Sequence, residues 1–233
     1  MITSKSEPVG HSRRNNRKLS DEESFEILKK YSIPFPPYGI GSNPLEVGEI
    51  ADKIGYPVVL KIVSPDISHK TDVGGVALDI TSRAEAEAAA DQMTRAVRLK
   101  MPWARIKGIL VQKMITGGLE LIIGGIRDPT FGGVVMLGLG GVFTEVMRDV
   151  SFRVTPVTRK DVLEMIDELS AKQLLKGYRT LPPANIELIV DLVLKASRVI
   201  DELEFIESFD FNPVIVKGSE IFVVDARFIV SET

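Results

Sequence analysis

The stretch that decides the fold of this 233-residue chain is Val63-Ser64-Pro65-Asp66-Ile67-Ser68-His69-Lys70-Thr71-Asp72-Val73-Gly74-Gly75-Val76. It interrupts an apolar strand pattern, predicted over residues 57–63, with a polar loop that ends in two glycines before a second predicted strand at 75–80. His69 on this loop is one of two histidines in the chain, and the other is His11. Because neutral imidazole is nucleophilic near pH 7 and can carry a phosphoryl group, a histidine on such a loop suits a phosphoryl carrier.

Bulk composition limits the class of protein. Hydrophobic residues make up 44% and charged residues 26%, with a formal net charge of −3, so the chain has an ordinary globular composition without the footprint of a nucleic-acid or membrane-surface protein. The absence of cysteine excludes disulfides, thiolate catalysis and thiolate metal sites. It is compatible with a reducing cytosol, and we expect a cytoplasmic protein. No apolar run approaches the roughly 20 residues of a membrane span.

Residues 1–19 are expected to form a flexible leader. The leader has no apolar core, which argues against a secretory signal. Its basic residues could contact an acidic partner, although a disordered tail is the simpler interpretation; they are Arg13, Arg14, Arg17 and Lys18.

Helices are predicted where capping signals precede suitable runs. The capping box Ser20-Asp21-Glu22-Glu23 starts a helix that should end near Tyr31. Asn43-Pro44-Leu45-Glu46 starts a second helix, which Gly55 closes. Three more helices are predicted over residues 83–100, 157–170 (capped by Thr158) and 183–203.

Strands are predicted from apolar runs separated by glycine turns. They cover residues 106–114, 119–126, 134–137, 205–211, 214–216 and 221–224, with a tight glycine loop at 138–141 and a hairpin turn at 217–220. Because strands and helices alternate in both halves, the fold class is α/β or α+β. A two-lobed enzyme with a cleft is predicted, divided near Val111.

Lys61 is a candidate phosphate ligand. In the strand pattern it shares a face with Val59 and Val63. A lysine flanked by buried-type residues needs an anion, and a nucleotide phosphate would suit its compact charge. The alternative is an edge-strand lysine that reaches solvent.

Asp210, Asn212 and Asp225 are candidate metal ligands. Asp210 and Asn212 alternate with apolar residues and so share one strand face, and Asp225 follows on the partner strand of a short hairpin. Mg²⁺ takes a few oxygen ligands together with phosphates and water, and an aspartate after apolar residues is costly to bury without a cation. The alternative is a set of surface carboxylates on a half-exposed sheet.

The glycine pairs between residues 117 and 141 are weaker signals. Their backbone N–H groups could bind phosphate, but glycine pairs are more often simple turns. Glu120 and Glu145 lie beside these glycines and could serve a nucleotide or His69, or be solvated. Arg127 and Arg153 add positive charge nearby, and an exposed ion pair of Arg127 with Asp128 is the simpler interpretation.

Several of these segments resemble one known family, the β subunit of ADP-forming acetyl-CoA synthetases, also called NDP-forming acyl-CoA synthetases or acetate–CoA ligases (ADP-forming). The similar segments are 61–76, 118–125, 127–132 and Asp210-Phe211-Asn212-Pro213, and the similarity extends from Ser20 to the C-terminus. The histidine segment is specific to this family. The Asp210–Pro213 hairpin is shared more widely with succinyl-CoA synthetase β chains.

The resemblance implies an ATP-grasp fold of the α+β class, with ATP or ADP held between two α/β lobes. Residues 20–111 would form the N-terminal lobe with the histidine loop, and residues 112–233 the C-terminal lobe with the metal site. The reaction implied is acyl-CoA + ADP + phosphate ⇌ carboxylic acid + CoA + ATP. The implied partner is a separate CoA-binding α subunit, in an α2β2 heterotetramer, whose own histidine first takes the phosphoryl group.

The resemblance also implies roles for particular residues. His69 would relay the phosphoryl group to ADP, Lys61 would bind phosphate, and Gln112-Lys113-Met114 would be the hinge that meets adenine. Asn212 and Asp225 would be the Mg²⁺ ligands, with Asp210 beside them. Either Asp210 or Glu145 would orient the phosphorylated imidazole.

Two positions depart from the family pattern. Gly133 stands where proline is usual, and Thr180 stands where glycine is usual; both put local loop geometry in question. Three other functions stay open from the sequence: an ATP-grasp ligase without a phosphoenzyme, a non-catalytic nucleotide-binding regulatory module, and an unrelated metabolic α/β domain. The preferred acid and the choice between ADP and GDP are open as well.

Overall fold

The computed structural model describes residues 16–67, 69–141, 149–177 and 182–231. These residues form a four-stranded sheet and a seven-stranded sheet, with helices packed against each. Among them, no helix is both long enough and apolar enough to span a membrane. Mixed helices and sheets agree with the α+β class predicted from the sequence.

The small sheet consists of β2 (Tyr38–Gly41), β3 (Val58–Val63), β4 (Val76–Ile80) and β5 (Gly108–Lys113), in the order β2-β5-β3-β4. The large sheet consists of β1 (Asn16–Lys18), β6 (Leu119–Asp128), β7 (Gly132–Leu139), β8 (Val150–Val154), β9 (Ile206–Lys217), β10 (Glu220–Val223) and β11 (Ala226–Ser231). Its order is β1-β11-β9-β6-β7-β8, and β10 also pairs with β9. The recorded strand pairs are antiparallel.

The helices are α1 (Asp21–Lys30), α2 (Pro44–Ile54), α3 (Arg83–Lys100), α4 (Arg159–Glu168) and α5 (Ile186–Glu202), with short 3₁₀ turns at Thr71–Val73 and Lys172–Lys176. The predicted caps Ser20, Asn43 and Thr158 are confirmed, since the side chain of each accepts a backbone N–H bond in the first turn. The helix predicted from residue 183 begins instead at Ile186, after the cap Asn185.

The strands that were predicted are present, but several of their ends were placed wrongly. The segments predicted as two strands at 205–216 form the single strand β9, and Gly138 and Leu139 lie in β7 rather than in a loop. Strands β2, β8 and β11 were not predicted. The last residues of the predicted leader form β1, which pairs with β11.

Each sheet buries one face under helices. Leu60 and Ile62 of β3 pack with residues of α2 and α3, while Leu121 and Phe211 of the large sheet pack with residues of α4 and α5. Because side chains alternate along a strand, Lys61 and Asp210 lie on the opposite faces of their sheets. The sheet faces without helices therefore carry the candidate functional residues.

The N-terminal segment packs with the large sheet. Phe25 and Leu28 of α1 belong to the same apolar cluster as Phe211, and Leu19 N donates to Phe228 O at 3.0 Å. The division of the chain at residues 111 and 112 into two lobes stays a prediction.

Gly133 is required by its neighbours. A Cβ atom at this position would overlap the Thr155 hydroxyl, which hydrogen-bonds Asp201, and would lie 3.0 Å from Asp201 Oδ1. A side chain at residue 133 therefore does not fit beside Thr155 and Asp201 as they are arranged in this chain.

We expect Gly133→Ala to lower the free energy of unfolding by about 1–3 kcal/mol through overpacking, measured by urea denaturation. Combining it with Thr155→Ala should recover part of this loss, because the overlapping hydroxyl is then gone. Strictly additive effects of the two substitutions would show that the cost arises elsewhere.

Candidate functional site

Lys61 links the two sheets. It lies in the middle of β3, partly buried, and its Nζ donates a hydrogen bond at 3.3 Å to the carbonyl of Val224, between β10 and β11. Val224 directly precedes Asp225, one of the predicted metal ligands. The ammonium group predicted to bind phosphate therefore lies beside the segment that carries the predicted metal site.

The predicted metal ligands meet across β9 and the segment between β10 and β11. Asn212 N donates to Asp225 O at 3.1 Å, and Val224 N donates to Pro213 O at 3.0 Å. Asp210 pairs with Arg227 one step further along the same register. These backbone bonds bring Asp210, Asn212 and Asp225 together, and all three side chains reach solvent.

The electrostatics of Asp210 show that the carboxylates are close. Desolvation by the surrounding protein raises the pKa of Asp210, the negative charge of Asp225 raises it further, and Arg227 acts in the opposite direction. A carboxylate whose charged form is disfavoured by burial and by a neighbouring carboxylate is a favourable setting for a cation.

The donor set fits Mg²⁺. Among the described residues, no three histidine or acidic side chains are grouped so that they alone could hold a metal ion. Two carboxylates and one amide oxygen are nevertheless typical of Mg²⁺, which binds one or two carboxylates and takes its remaining ligands from water and nucleotide phosphates.

Gln112 carries a buried amide without a partner. Its side chain is 1% exposed, and neither Oε1 nor Nε2 has a hydrogen-bond partner within the described part of the chain. It pairs with Val59 across β3 and β5, so it shares the Lys61 face of the small sheet. An unsatisfied donor and acceptor are costly to bury, and the edge of a purine base would satisfy both.

The rest of the predicted hinge is engaged within the chain. The Lys113 ammonium donates to the carbonyls of Gly55 and Tyr56 at 2.9 and 2.6 Å. The backbone N–H of Lys113 donates to Pro37, and that of Met114 donates to Pro57. The Gln112 side chain, by contrast, is a group of this segment with open hydrogen-bonding capacity.

Glu120 lies on the same face of the large sheet as Asp210. Its carboxylate is exposed and close to Gly141, since a Cβ there would be 3.6 Å from Glu120 Oε2. Glu145 and Thr180 lie outside the described residues, so the structure says nothing of their predicted roles.

His69 is exposed on the loop that follows the strand of Lys61. We call residues 64–67 and 69–74 the histidine loop, since Ser68 lies outside the described residues. Ile67 is 3% exposed and belongs to the core of the small sheet, and Gly75 N closes the loop by donating to Lys70 O at 2.7 Å. The imidazole therefore faces solvent, while the neighbouring Ile67 packs into the core of the small sheet.

The predicted ion pair of Arg127 with Asp128 does not form. Arg127 donates to the carbonyls of Ile200, Leu203 and Ile206, at and just beyond the end of α5. The carboxylate of Asp128 accepts instead from the N–H groups of the two residues at 130 and 131. A guanidinium can satisfy several terminal carbonyls of a helix at once, which outweighs one exposed ion pair.

Arg153 likewise has a structural partner. It forms ion pairs with Glu168 at 2.6 Å and with Glu164 at 3.7 Å, and Glu168 also bonds Ser151. The Arg153 guanidinium holds the pKa of Glu168 at about 2. Its charge is therefore balanced locally on α4.

Two charged residues near the site were missed from the sequence. Arg227 lies opposite Asp210. The pKa of Lys18 on β1 is lowered mainly by desolvation. The charges of Lys70 and Arg227 lower it further, and the charge of Asp225 raises it, so Lys18 lies close to all three. Alternation of polar and apolar residues after Asp225 could have identified Arg227, whereas Lys18 depends on the pairing of β1 with β11.

Comparison with known proteins gives a family. A family model described as an ATP-grasp domain matches residues 11–230. The acetate–CoA ligase (ADP-forming) I subunit beta of Pyrococcus furiosus is 43% identical over 223 residues, which are 96% of this chain and 96% of that protein. The acetate–CoA ligase (ADP-forming) I of Archaeoglobus fulgidus is 48% identical over 211 residues, which are 90% of this chain but only 30% of that longer protein.

Solved structures agree with this match. The dinucleotide-forming acetyl-coenzyme A synthetase 1 of Ca. Korarchaeum cryptofilum, with coenzyme A, Ca-AMPCP and HgCl+, gives a TM-score of 0.89 at 44% identity and covers 92% of this chain and 93% of that chain. The same synthetase with coenzyme A and Mg-AMPPCP, its phosphohistidine segment pointing towards the nucleotide binding site, gives a TM-score of 0.80 at 42% identity with the same coverage. The chain therefore belongs to the ATP-grasp family, as a ligase of the ADP-forming acetate–CoA ligase β-subunit type.

Proposed function

We propose that the chain binds ADP or ATP with Mg²⁺ and relays a phosphoryl group through His69, in the reaction acyl-CoA + ADP + phosphate ⇌ carboxylic acid + CoA + ATP. The observation that carries the proposal is the bond of Lys61 to Val224. It brings the candidate phosphate ligand to the candidate metal site, and the histidine loop begins three residues after Lys61 on the chain.

Each candidate residue has a separate task. The unpaired Gln112 amide meets the base, and the Lys61 ammonium neutralises phosphate charge. Asn212 and Asp225 hold Mg²⁺, with Asp210 beside them, and the ion supplies further neutralisation of phosphate charge when bound. Phosphoryl transfer consists mainly of positioning and charge neutralisation, so this set is sufficient for the nucleotide half of the reaction.

His69 carries the phosphoryl group between two sites. A ring nitrogen of the neutral imidazole forms a bond to phosphorus as the bond to the donor breaks. An oxygen of the ADP β-phosphate then attacks the phosphorus, and the imidazole leaves in its neutral form. The exposed position of His69 on a loop between strands allows one side chain to face both partners in turn.

The acyl half of the reaction requires a partner. The Pyrococcus relative is named as a beta subunit, and the longer Archaeoglobus relative contains the matching region as 30% of its length. We propose that a separate CoA-binding α subunit supplies this other part, in an α2β2 assembly. Asp210 or Glu145 would orient the phosphorylated imidazole.

The proposal is tested by assembling the chain with its α-type partner. ATP should form from ADP, phosphate and an acyl-CoA only when both subunits are present, and a panel of acyl-CoA esters should give the preferred acid. After incubation with Mg-ATP, ³¹P NMR should detect an acid-labile phosphoryl group on nitrogen in this chain. ATP formation without any phosphorylated histidine would contradict the relay and favour a ligase without a phosphoenzyme.

A further inference from the structure

The histidine loop is attached to α1 by an ion pair next to His69. Lys70 Nζ lies 2.6 Å from Asp21 Oδ2, at the first position of α1, and the two side chains are only 14% and 15% exposed. An ion pair so far removed from water loses much of its screening, and removal of one partner leaves an uncompensated charge. The pair is therefore a stronger attachment than the exposed ion pairs elsewhere on the chain.

Other contacts hold the histidine loop on either side of His69. Before His69, Asp66 accepts from Arg105 through both the backbone N–H and the guanidinium, at 2.8–3.0 Å. After His69, Lys100 donates to Asp72 O at 2.9 Å. The Asp21–Lys70 pair differs from these, because its α1 partner packs with the large sheet while the loop belongs to the small sheet.

The surroundings of Lys70 carry charges of both signs. A cavity of about 490 Å³ lies between the start of α1 and the base of the loop, and its lining includes the basic residues Lys18, Lys70 and Lys107 and the acidic residues Asp21, Glu22 and Glu23. Desolvation lowers the pKa of Lys18, the charge of Lys70 lowers it further, and the charge of Asp21 acts in the opposite direction. Of these carboxylates, Asp21 is the one that forms an ion pair with Lys70, so it is the point at which α1 holds the docked loop.

We propose that Asp21 and Lys70 are positioning residues that dock the histidine loop, and that a phosphoryl group on His69 undocks it by competing with Asp21 for the Lys70 ammonium. The second part rests on the proposed function. A phosphoryl group carries roughly two negative charges and strong acceptor oxygens, and His69 and Lys70 are consecutive residues. The loop is therefore held while it is unphosphorylated and released when it has phosphate to deliver.

Hydrogen exchange of the full chain, read by mass spectrometry on peptides that cover residues 64–74, tests the docking. Asp21→Asn and Lys70→Met should each speed exchange in these peptides at least about tenfold, since both break the pair. Lys70→Arg keeps the charge and should stay within about twofold of the wild type. Glu22→Gln removes the neighbouring carboxylate and is the matched control, also expected within about twofold.

The same measurement with Mg-ATP tests the release. Phosphorylation should speed exchange of the wild-type loop towards the rate of Asp21→Asn and should change that variant little, because its pair is already broken. The non-hydrolysable analogue AMPPNP should leave the wild-type loop slow. Asp21 lies in the first turn of α1, so Asp21→Asn could also change the helix itself. Lys70→Met breaks the same pair without changing α1 and separates the two effects.

Four results would overturn the inference or its basis. If Asp21→Asn exchanged no faster than Glu22→Gln, or Lys70→Arg as fast as Lys70→Met, the pair would not dock the loop. If phosphorylation accelerated exchange equally in wild type and Asp21→Asn, competition for Lys70 would be refuted. If Mg-ATP left no phosphoryl group on His69, the proposed relay would fail, while the nucleotide-free comparison of variants would still decide the docking.

Discussion

The His69→Asn variant is expected to lose overall turnover by at least about 10⁴-fold, because an asparagine amide cannot form the phosphoryl bond that imidazole forms. Its affinity for ADP should stay within about twofold of the wild type, since the His69 side chain is exposed and Lys61 lies in β3 before the loop. Stability should change little, as is usual for an exposed position. ATP formation with the partner subunit and calorimetric titration with ADP measure the two quantities.

His11 provides the matched control for this variant. The chain has two histidines, so a phosphoryl label on nitrogen should vanish in His69→Asn and persist in His11→Asn. Turnover of His69→Asn above about one per cent of the wild type would refute the relay. A loss of ADP binding together with turnover would show that the loop forms part of the nucleotide site.

Helix boundaries were predictable because they are set by local chemistry. Ser20 with Glu23, and Thr158 with Asp161, form reciprocal capping boxes within four residues. The second helix begins at Pro44 as expected, although the Glu46 carboxylate accepts from Ser42 rather than from Asn43. Interactions within one turn depend little on the rest of the fold, so the sequence is sufficient to place them.

Strands were less predictable because their partners are distant. Pro213 suggested a break in β9, but Val224 N donates to Pro213 O and the strand continues through it. Strand β8 alternates exposed residues such as Phe152 with buried Ser151, which reverses the usual pattern of apolar residues inside. Its pairing with β7 and the bonds of Ser151 and Arg153 to Glu168 stabilise it, and neither can be read from five residues.

Parts of the candidate site were predictable for a different reason. Asp210 and Asn212 alternate on one strand, and the short hairpin returns Asp225 to the same level, so their proximity follows from strand geometry. The partners of Lys113, Arg127 and Arg153 could not be predicted from strand geometry. These long cationic side chains bind carbonyls or carboxylates that only the tertiary fold brings near, so the spacing of residues along the chain does not identify them.

The Asp210→Asn variant is expected to lose Mg²⁺-dependent turnover by about 100-fold or more, because one oxygen charge beside the proposed metal and phosphate sites is removed. The same variant should raise the Tm of the nucleotide-free chain by about 1–3 °C. The reason is that protein desolvation and the charge of Asp225 both raise the pKa of Asp210, so its charged form is disfavoured in the folded state.

The pH dependence gives the sign of the stability effect. A carboxyl group with a raised folded-state pKa binds its proton more tightly when the chain is folded. Stability is therefore lost as the pH rises from the ordinary carboxyl value through the raised folded-state value. The Tm advantage of Asp210→Asn should be small below about pH 4 and larger at pH 7, as measured by differential scanning calorimetry across that range.

Glu204→Gln is the charge-matched control, since Glu204 is an exposed carboxylate near the start of β9. It should change neither the Tm difference between the two pH values nor the turnover. Adding Mg²⁺ and nucleotide should reverse the order of stability, because binding stabilises the wild type more than Asp210→Asn. If Asp210→Asn were less stable than the wild type without nucleotide, Asp210 would support the fold instead. If Asp210 both destabilises the free protein and is needed for turnover, the single substitution Asp210→Asn must raise the Tm and lower the turnover together.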